Sequence, residues 1–495
     1  MDSTPEQTAV IKSTARNLTV KAFAGAGKTS TLVGYAQARP TSRLLYVAFN
    51  KGIQMEAKRK FPRNVECRTT HSLAFGRFGK PLAHKFSNNL RPFDLMRHAG
   101  YDNARFARLV TDTLTSYMSS ADETPNLSHV DLHLAGDQAP RIVDHASVVW
   151  KRMIDPMDPM SAVHDTYLKL WQLSRPELPY DTILFDEGQD ANPVTTDVVL
   201  RQSCGKVFVG DPHQSIYGFR GAENAMESFK SDETLNLTHS FRFGQGVADC
   251  ANLLLSELKG EIHPITGRGK YQTKFEIDQD LPCLTIARTN AYLFEEAAMA
   301  VLLGHDRIGY VGGVQGYKLE MILDAYRLWV GYSDIRDMFI RMFATFDAMK
   351  IYGEEADDKE VNMLVRVIES RGHDIPVLVE RIRAIAESHD SKRGDPPIVT
   401  LSTAHKVKGL EFDQVRLGDD FTELVDGGAL VETIDPEEVN VLYVAMTRAE
   451  RAIQLNAQFR EFAKLYDTIF RSSAQCEQPV MPKASQQNSP QSSLF

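Results

Sequence analysis

The feature that most constrains this chain is a β-rich run that ends in glycines and then turns helical. Leu18-Thr19-Val20-Lys21-Ala22-Phe23 leads into Ala24-Gly25-Ala26-Gly27-Lys28-Thr29, and from Ser30 to about Ala38 the character is helical. A strand, a glycine turn and a helix in that order gather free backbone N–H groups at a helix N-terminus, where an anion is favoured. Gly25 and Gly27 free the backbone, Lys28 can reach the β- and γ-phosphates of a nucleotide, and the Thr29 hydroxyl can ligate Mg²⁺. Ala22 stands where the strict phosphate-loop pattern has its first glycine.

A second string belongs with the first. Ile183-Leu184-Phe185-Asp186-Glu187-Gly188-Gln189-Asp190 places adjacent acids at the end of an apolar run, where charge is costly without a purpose. Asp186 can hold Mg²⁺ through water and Glu187 can orient or deprotonate an attacking water, the two anionic roles that nucleoside triphosphate hydrolysis needs. Short apolar runs at 44–49, 182–185 and 206–209 read as buried strands, and further runs at 281–287, 398–401, 414–417 and 441–445 repeat the α/β pattern. Residues 80–175 and 302–395 are amphipathic and mainly helical. The expectation is an α/β protein of two parallel-sheet domains, each interrupted by a helical insertion.

Composition narrows the class. With 495 residues, 43% hydrophobic and 24% charged, the chain has material for several cores, which excludes wholesale disorder. No apolar stretch approaches the ~18 residues of a membrane span. The N-terminus lacks an export signal, so a cytoplasmic home is expected. The five cysteines lie at least 33 residues apart and read as reduced thiols rather than a disulfide or metal framework. A net charge of −9 argues against nonspecific coating of nucleic acid, yet residues 51–108 hold 13 Lys and Arg against 4 Asp and Glu. A basic face on an acidic body fits a track for a phosphate backbone.

Val209-Gly210-Asp211-Pro212-His213-Gln214-Ser215-Ile216-Tyr217-Gly218-Phe219-Arg220-Gly221-Ala222 resembles motif III of UvrD/Rep-type superfamily 1 helicases. Thr4-Pro5-Glu6-Gln7 is similar to the Q motif, Ala48-Phe49-Asn50-Lys51 to motif Ia, Thr70-His71-Ser72 to Ib and Ser240-Phe241-Arg242 to IV. Thr403-Ala404-His405-Lys406-Val407-Lys408-Gly409-Leu410-Glu411-Phe412 is similar to motif V, and Tyr443-Val444-Ala445-Met446-Thr447-Arg448-Ala449 to VI. Within that family, Ala48-Phe49-Asn50-Lys51 and Asn440-Val441-Leu442-Tyr443-Val444-Ala445 resemble the helicase core of eukaryotic F-box DNA helicases and their bacterial relatives, with no F-box recognisable. Phe219 stands where many relatives carry Trp, and motif Ia is shorter than the UvrD form.

The resemblance implies two RecA-like domains: 1–79 with 176–224, and 225–301 with 396–470, carrying insertions 80–175 and 302–395. It implies ATP and Mg²⁺ as cofactors, with Ala24 to Ser30 around the phosphates, Gln7 reading adenine, Phe241 stacking on it and Glu411 contacting the ribose. Thr29 and Asp186 would serve the metal; Lys28, Glu187, Gln214, Arg242 and Arg448 would complete the catalytic set. For DNA, it implies stacking by Phe49, Tyr217 and Phe219, and backbone contact by His71, Arg220, His405 and Lys408. The expected partners are single-stranded DNA and its junctions with duplex, engaged by a monomer moving 3′→5′. The small second insertion makes translocation a safer expectation than processive unwinding. No fused nuclease is expected after Arg448.

Beyond residue 470 the chain turns Ser-, Gln- and Pro-rich and reads as disordered. Its last residues, Gln491-Ser492-Ser493-Leu494-Phe495, resemble the bacterial sliding-clamp peptide, with Gln491, Leu494 and Phe495 as anchors. That likeness favours a bacterial or phage source, with a nucleoid-associated protein.

Overall fold

The computed structural model describes residues 3–466 apart from positions 49, 88–89, 102, 219–220, 222–223, 356–357 and 391–396. Among the described residues the first sheet comprises β1 (Asn17–Ala22), β2 (Leu44–Ala48), β3 (Val65–Thr69), β4 (Thr182–Phe185), β5 (Gly205–Gly210) and β6 (Glu233–Leu237). All pairings are parallel, in the order β3-β2-β4-β5-β1-β6. The three strands followed by chemistry-bearing loops are therefore neighbours: β4 (acids), β5 (motif III) and β1 (glycine turn) end side by side. Ligands of open parallel sheets bind at such carboxyl ends. Central strands are buried on both faces, as Leu44–Ala48 and Val207 to Val209 show.

After β6 the chain forms β7 (His239–Ser240), paired with β8 (Thr266–Gly267), and enters a second sheet. Its strands are β9 (Cys283–Ala287), β10 (Ile308–Tyr310), β11 (Val399–Thr403) and β12 (Phe412–Leu417), then, after a small hairpin of β13 (Val425–Asp426) and β14 (Ala429–Leu430), β15 (Ala449–Gln454). The order is β10-β11-β9-β12-β15, again parallel.

The expected α/β architecture with helical insertions is present, with three revisions. The first domain does not stop at 224, because β6 adds to the open side of β1 and carries it to Leu237. The second insertion begins after β10, which pairs with β11. Residues 441–445 are not a strand but part of a helix, Pro436–Met446, started by Asp435 as N-cap, a proline in its first turn and Glu437 and Glu438 beside its N-terminus. Because that helix is buried from Val439 to Met446, its sequence has no amphipathic period to distinguish it from a buried strand.

The helices of 302–395 do not form a separate body. Ile322, Ala325, Leu364, Ile368, Leu378 and Ile382 share one core with Phe294 of the helix Asn290–Leu302 and with Leu401 of β11. The first insertion has its own core around Tyr117, Trp150 and Met153. There Lys169 is completely buried: its ammonium donates to the carbonyls of Ser120 (2.9 Å) and Asp122 and lies 4.5 Å from the centre of the Tyr117 ring. Burial pushes its pKa down to about 8. Cys67, Cys204, Cys250 and Cys283 are free thiols, and Cys476 lies outside the described residues. No described helix is long and apolar enough to cross a membrane.

Candidate active site

The glycine turn has the geometry its residues require. Gly25 and Gly27 have φ of 74° and 76°, the left-handed region in which a side chain is strained, and Gly27 caps the helix Lys28–Gln37. Space is as limiting as conformation: a Cβ on Gly25 would lie 2.4 Å from Ser240 Oγ and 2.8 Å from Arg242 Cβ. The Phe241 N–H donates to the Gly25 carbonyl at 2.9 Å, so the start of the second domain lies directly on the turn. Gln7 and Phe241 flank Gly27, where an added Cβ would meet Gln7 Nε2 at 2.9 Å and the Phe241 ring at 3.9 Å. Gln7 Nε2 donates to the Ala26 carbonyl at 3.3 Å, while Oε1 accepts the Thr4 N–H in a reciprocal capping box. Lys28 and Thr29 are partly buried in the first turn of the helix, and Ser30 is exposed.

Asp186 and Glu187 follow β4 with distinct surroundings. Asp186 accepts from the Tyr46 hydroxyl at 2.7 Å and from the Glu187 N–H at 2.9 Å. Burial, reinforced by the neighbouring Glu187 charge, raises its pKa. Glu187, at φ 53°, lies with Oε2 3.8 Å from Lys28 Nζ and 2.7 Å from Gln189 Nε2. Burial opposes its ionisation, but the ammonium groups of Lys28 and Lys408 outweigh it, and its pKa falls below the ordinary value. One carboxylate is thus costly to ionise until a cation arrives, and the other is held ionised, the form that can accept a proton. Hard oxygen donors at Thr29 and Asp186 fit Mg²⁺, which keeps most of its waters and phosphate ligands. Among the described residues no three His, Cys, Asp or Glu side chains converge as a metal cage of their own.

The second domain supplies cations. Arg448 is fully buried, and among the described residues its guanidinium donates to neutral groups: the Val444 carbonyl (2.8 Å), the Leu410 carbonyl (3.1 Å) and Thr447 Oγ1 (3.1 Å). Burial and the nearby charge of Arg242 push its pKa down to about 9. Arg242 donates to the Thr447 carbonyl (3.1 Å) and pairs through Nε with Glu411 Oε2 (2.8 Å). Two arginines thus converge on Thr447, one of them with no carboxylate partner among the described residues, an arrangement that an incoming anion would relieve. In this state Glu411, expected at a ribose, holds Arg242.

Three side chains on one stripe of the helix Pro436–Met446 bind motif III in register. Glu437 Oε1 accepts the Gly218 N–H (3.2 Å), Asn440 Nδ2 donates to the Ser215 carbonyl (2.8 Å), and the Tyr443 hydroxyl donates to Asp211 Oδ2 (3.0 Å). That hydroxyl also accepts the Ala24 N–H at 3.1 Å, joining the glycine turn to motif III through the second domain. Gln214, beside them, donates from Nε2 to Asp211 Oδ2 at 2.7 Å.

The residues expected on DNA separate into groups. His71 and Tyr217 line one cavity of about 380 Å³, together with Asp186, Glu187 and Asp190. His71 Nε2 is 3.2 Å from Asp165, and the Tyr217 hydroxyl donates to the His405 carbonyl at 3.1 Å. Lys408 is placed differently from expectation: its ammonium is buried against the Asp190 carboxylate and the Gln214 carbonyl, because a charge turned into the cleft needs a counter-charge. It belongs to the acid cluster rather than to an open backbone track. Phe49, Phe219 and Arg220 lie outside the described residues, as do Gln491, Leu494 and Phe495. In the basic segment Lys51, Lys58, Arg59, Lys60, Arg63, Arg77 and Lys80 are exposed.

Sequence reasoning passed over Tyr46, Gln189, Asp190, Asp211 and Tyr443. All but Tyr46 stand inside the motif strings, and Tyr46 is the one hydroxyl in the apolar run 44–49.

Comparison with known proteins places the chain among its relatives. Residues 82–233 match the model of the UvrD/REP helicase N-terminal domain, and 338–457 that of the UvrD-like helicase C-terminal domain. F-box DNA helicase 1 of Gallus gallus is 34% identical over 90% of this chain and 48% of its own length. F-box DNA helicase protein 1 of Schizosaccharomyces pombe is 30% identical over 89% of this chain and 55% of its own. DNA helicase II of Escherichia coli is 34% identical over 17% of this chain and 13% of its own. The chain spans about half the length of the two F-box relatives it matches. With its phosphate turn, paired acids and converging arginines spread over two parallel sheets, and with both domain models matched, the chain belongs to the UvrD/Rep-type superfamily 1 helicases.

Proposed function

We propose that the chain is a DNA-stimulated ATPase motor that moves along single-stranded DNA, 3′→5′, and opens duplex at junctions. The observation that carries this reading is the meeting of groups from both domains at one cleft: Lys28, Glu187 and Gln214 from the first, and Arg242, Lys408 and Arg448 from the second.

In this reading the glycine turn and Lys28 hold the triphosphate, Gln7 and Phe241 take the adenine, and Thr29 and Asp186 hold Mg²⁺. When bound, that ion neutralises phosphate charge. Glu187 accepts the proton of the attacking water, while Gln214, Arg242 and Arg448 stabilise charge on the transferred phosphoryl group. Arginines in that position contribute about 10³–10⁵ in rate. Filling the cleft draws the domains together along the motif III stripe, and product release lets them part. His71, Tyr217 and His405, with Phe49, Phe219 and Arg220, would follow the DNA by stacking and backbone contact. Stacking contributes about 1–3 kcal/mol per base and tolerates any sequence.

Glu187→Gln tests the chemistry: nucleotide and DNA binding should persist while turnover falls by about 10²–10⁴, and a normal turnover rate sinks the assignment. A second reading, a translocase that strips proteins from DNA with little unwinding, is favoured by the helices of 302–395 sharing one core with the second sheet instead of forming a separate body. Unwinding of duplexes with 3′ or 5′ tails, run beside displacement of a bound protein, separates the two and tests polarity. A helicase subunit of an anti-phage system would share these activities. Binding of the peptide ending in Leu494-Phe495 to a bacterial sliding clamp is a separate proposal, decided by titration; sedimentation decides the proposed monomer.

A further inference from the structure

The N-terminal helix Pro5–Lys12 presents adjacent residues to two different parts of the cleft. Gln7 touches the glycine turn through the Ala26 carbonyl. Glu6 turns to the segment that leaves the first sheet: its carboxylate accepts the Thr238 N–H at 2.8 Å and the Thr238 hydroxyl at 2.7 Å, and lies 3.0 Å from His239 Nδ1. Thr238 and His239 follow the last strand of the first sheet, and among the described residues the backbone passes from one sheet's domain to the other only there. Just past Ser240, Phe241 and Arg242 are the ring against Gly27 and the arginine at Thr447.

We propose that Glu6 is a positioning residue: it clamps the strap between the domains so that Phe241 and Arg242 arrive on the nucleotide in register with Gln7. The proposal rests on the reading above, in which Phe241 and Arg242 act on the nucleotide. Three further observations support it. Ser13 Oγ donates to Glu233 Oε2 at 2.5 Å, so the same helix is fastened to the start of β6 as well as to the strap beyond its end. The strap has little freedom to settle elsewhere, given how closely Ser240 and Arg242 press on Gly25. Finally, although burial opposes ionisation of Glu6, the hydrogen bonds from Thr238 and His239 more than offset it and hold the carboxyl below its usual pKa. Hydrogen bonds to an ionised carboxylate are shorter and stronger than neutral ones, which suits a clamp. A displacement of ~1 Å at a catalytic group can cost about 10²-fold in rate, so a clamp remote from the phosphates can govern turnover.

The test is steady-state ATP hydrolysis by the full chain with saturating single-stranded DNA, for Glu6→Ala, Glu6→Gln, Arg242→Ala and the Glu6→Ala/Arg242→Ala double variant. Glu6→Ala should lower kcat by about 10- to 100-fold and raise KM for ATP. Glu6→Gln, which keeps the shape and one acceptor, should fall between and stands in for Ala if that variant unfolds. The deciding result is the double variant, or Glu6→Gln/Arg242→Ala in its place: because Glu6 acts through Arg242, its loss should cost less than about threefold once Arg242 is gone. A full multiplicative loss in that background, or an unchanged kcat in both single Glu6 variants, overturns the proposal. If Arg242→Ala alone hydrolyses ATP at the unmodified rate, what fails is the assignment of Arg242, and the proposal falls with it.

Discussion

Replacing Tyr443 by phenylalanine removes one oxygen and keeps the ring, so the change can be costed from the hydrogen bonds alone. Tyr443 and Asp211 are fully buried and Ala24 nearly so. The hydroxyl donates to a carboxylate, an interaction of about 1.5–3 kcal/mol, and its loss strands the Ala24 N–H, at about 1–3 kcal/mol. Asp211 keeps Gln214 Nε2 at 2.7 Å and the His213 N–H at 3.0 Å, so the loss on its side falls below that range and the total is about 2–3 kcal/mol. Since the groups lost to one another sit on different domains, the cost falls on closure of the cleft more than on either fold. At ~1.4 kcal/mol per decade this is about 30- to 150-fold in kcat/KM for ATP. Steady-state hydrolysis with saturating single-stranded DNA measures it, with circular dichroism showing that both domains remain folded. A double-mutant cycle with Asp211→Asn should return coupling of at least about 1 kcal/mol. A folded Tyr443→Phe protein with kcat/KM within threefold of the unmodified chain would refute the reasoning.

Two other perturbations act through charge. Lys408→Met removes one of the ammonium groups that hold the Glu187 carboxyl low, so its pKa should rise. Activity that needs ionised Glu187 disappears as pH falls through that pKa, and the acidic limb of the kcat profile should move to higher pH; an unmoved limb over pH 5–9 contradicts the assignment. Lys169, with a folded pKa of about 8 against 10.5 ordinarily, binds its proton less readily in the folded chain than in the unfolded one. Stability should therefore rise with pH from about 8 to 10.5, by about 3 kcal/mol from this residue. Urea unfolding of the Lys169→Met protein should lack that slope, and an identical slope in both proteins counts against it.

What could be read in the sequence was what local physics dictates. A strand running into Gly25 and Gly27 admits few other conformations, and Asp186 and Glu187 after an apolar strand announce themselves by their cost. The strands β3 and β6 were passed over because they lie at sheet edges and mix charge with apolar residues, as in Val65-Glu66-Cys67-Arg68-Thr69. The helix Pro436–Met446 was masked by its own burial. Contacts between the domains left no trace in spacing at all: Tyr443 and Ala24 are 419 residues apart, and Lys408 meets Asp190 across 218. Nothing in the string around Lys408 says which side of its loop faces the acids, so a basic residue in a polar loop reads as a nucleic-acid contact.

Among the described residues the backbone passes between the sheets once, and this makes the molecule divisible. A cut between Leu237 and Thr238 leaves every described strand of each sheet on its own polypeptide, with no covalent crossing of the interface among the described residues. The fragments 1–237 and 238–495, produced separately and mixed, should recombine through the Glu437, Asn440 and Tyr443 stripe and the Glu6 clamp, since these are side-chain bonds indifferent to chain continuity. Such a pair would behave as tongs with the pivot pin withdrawn: still able to grip, with the span of its opening no longer set by the length of a peptide.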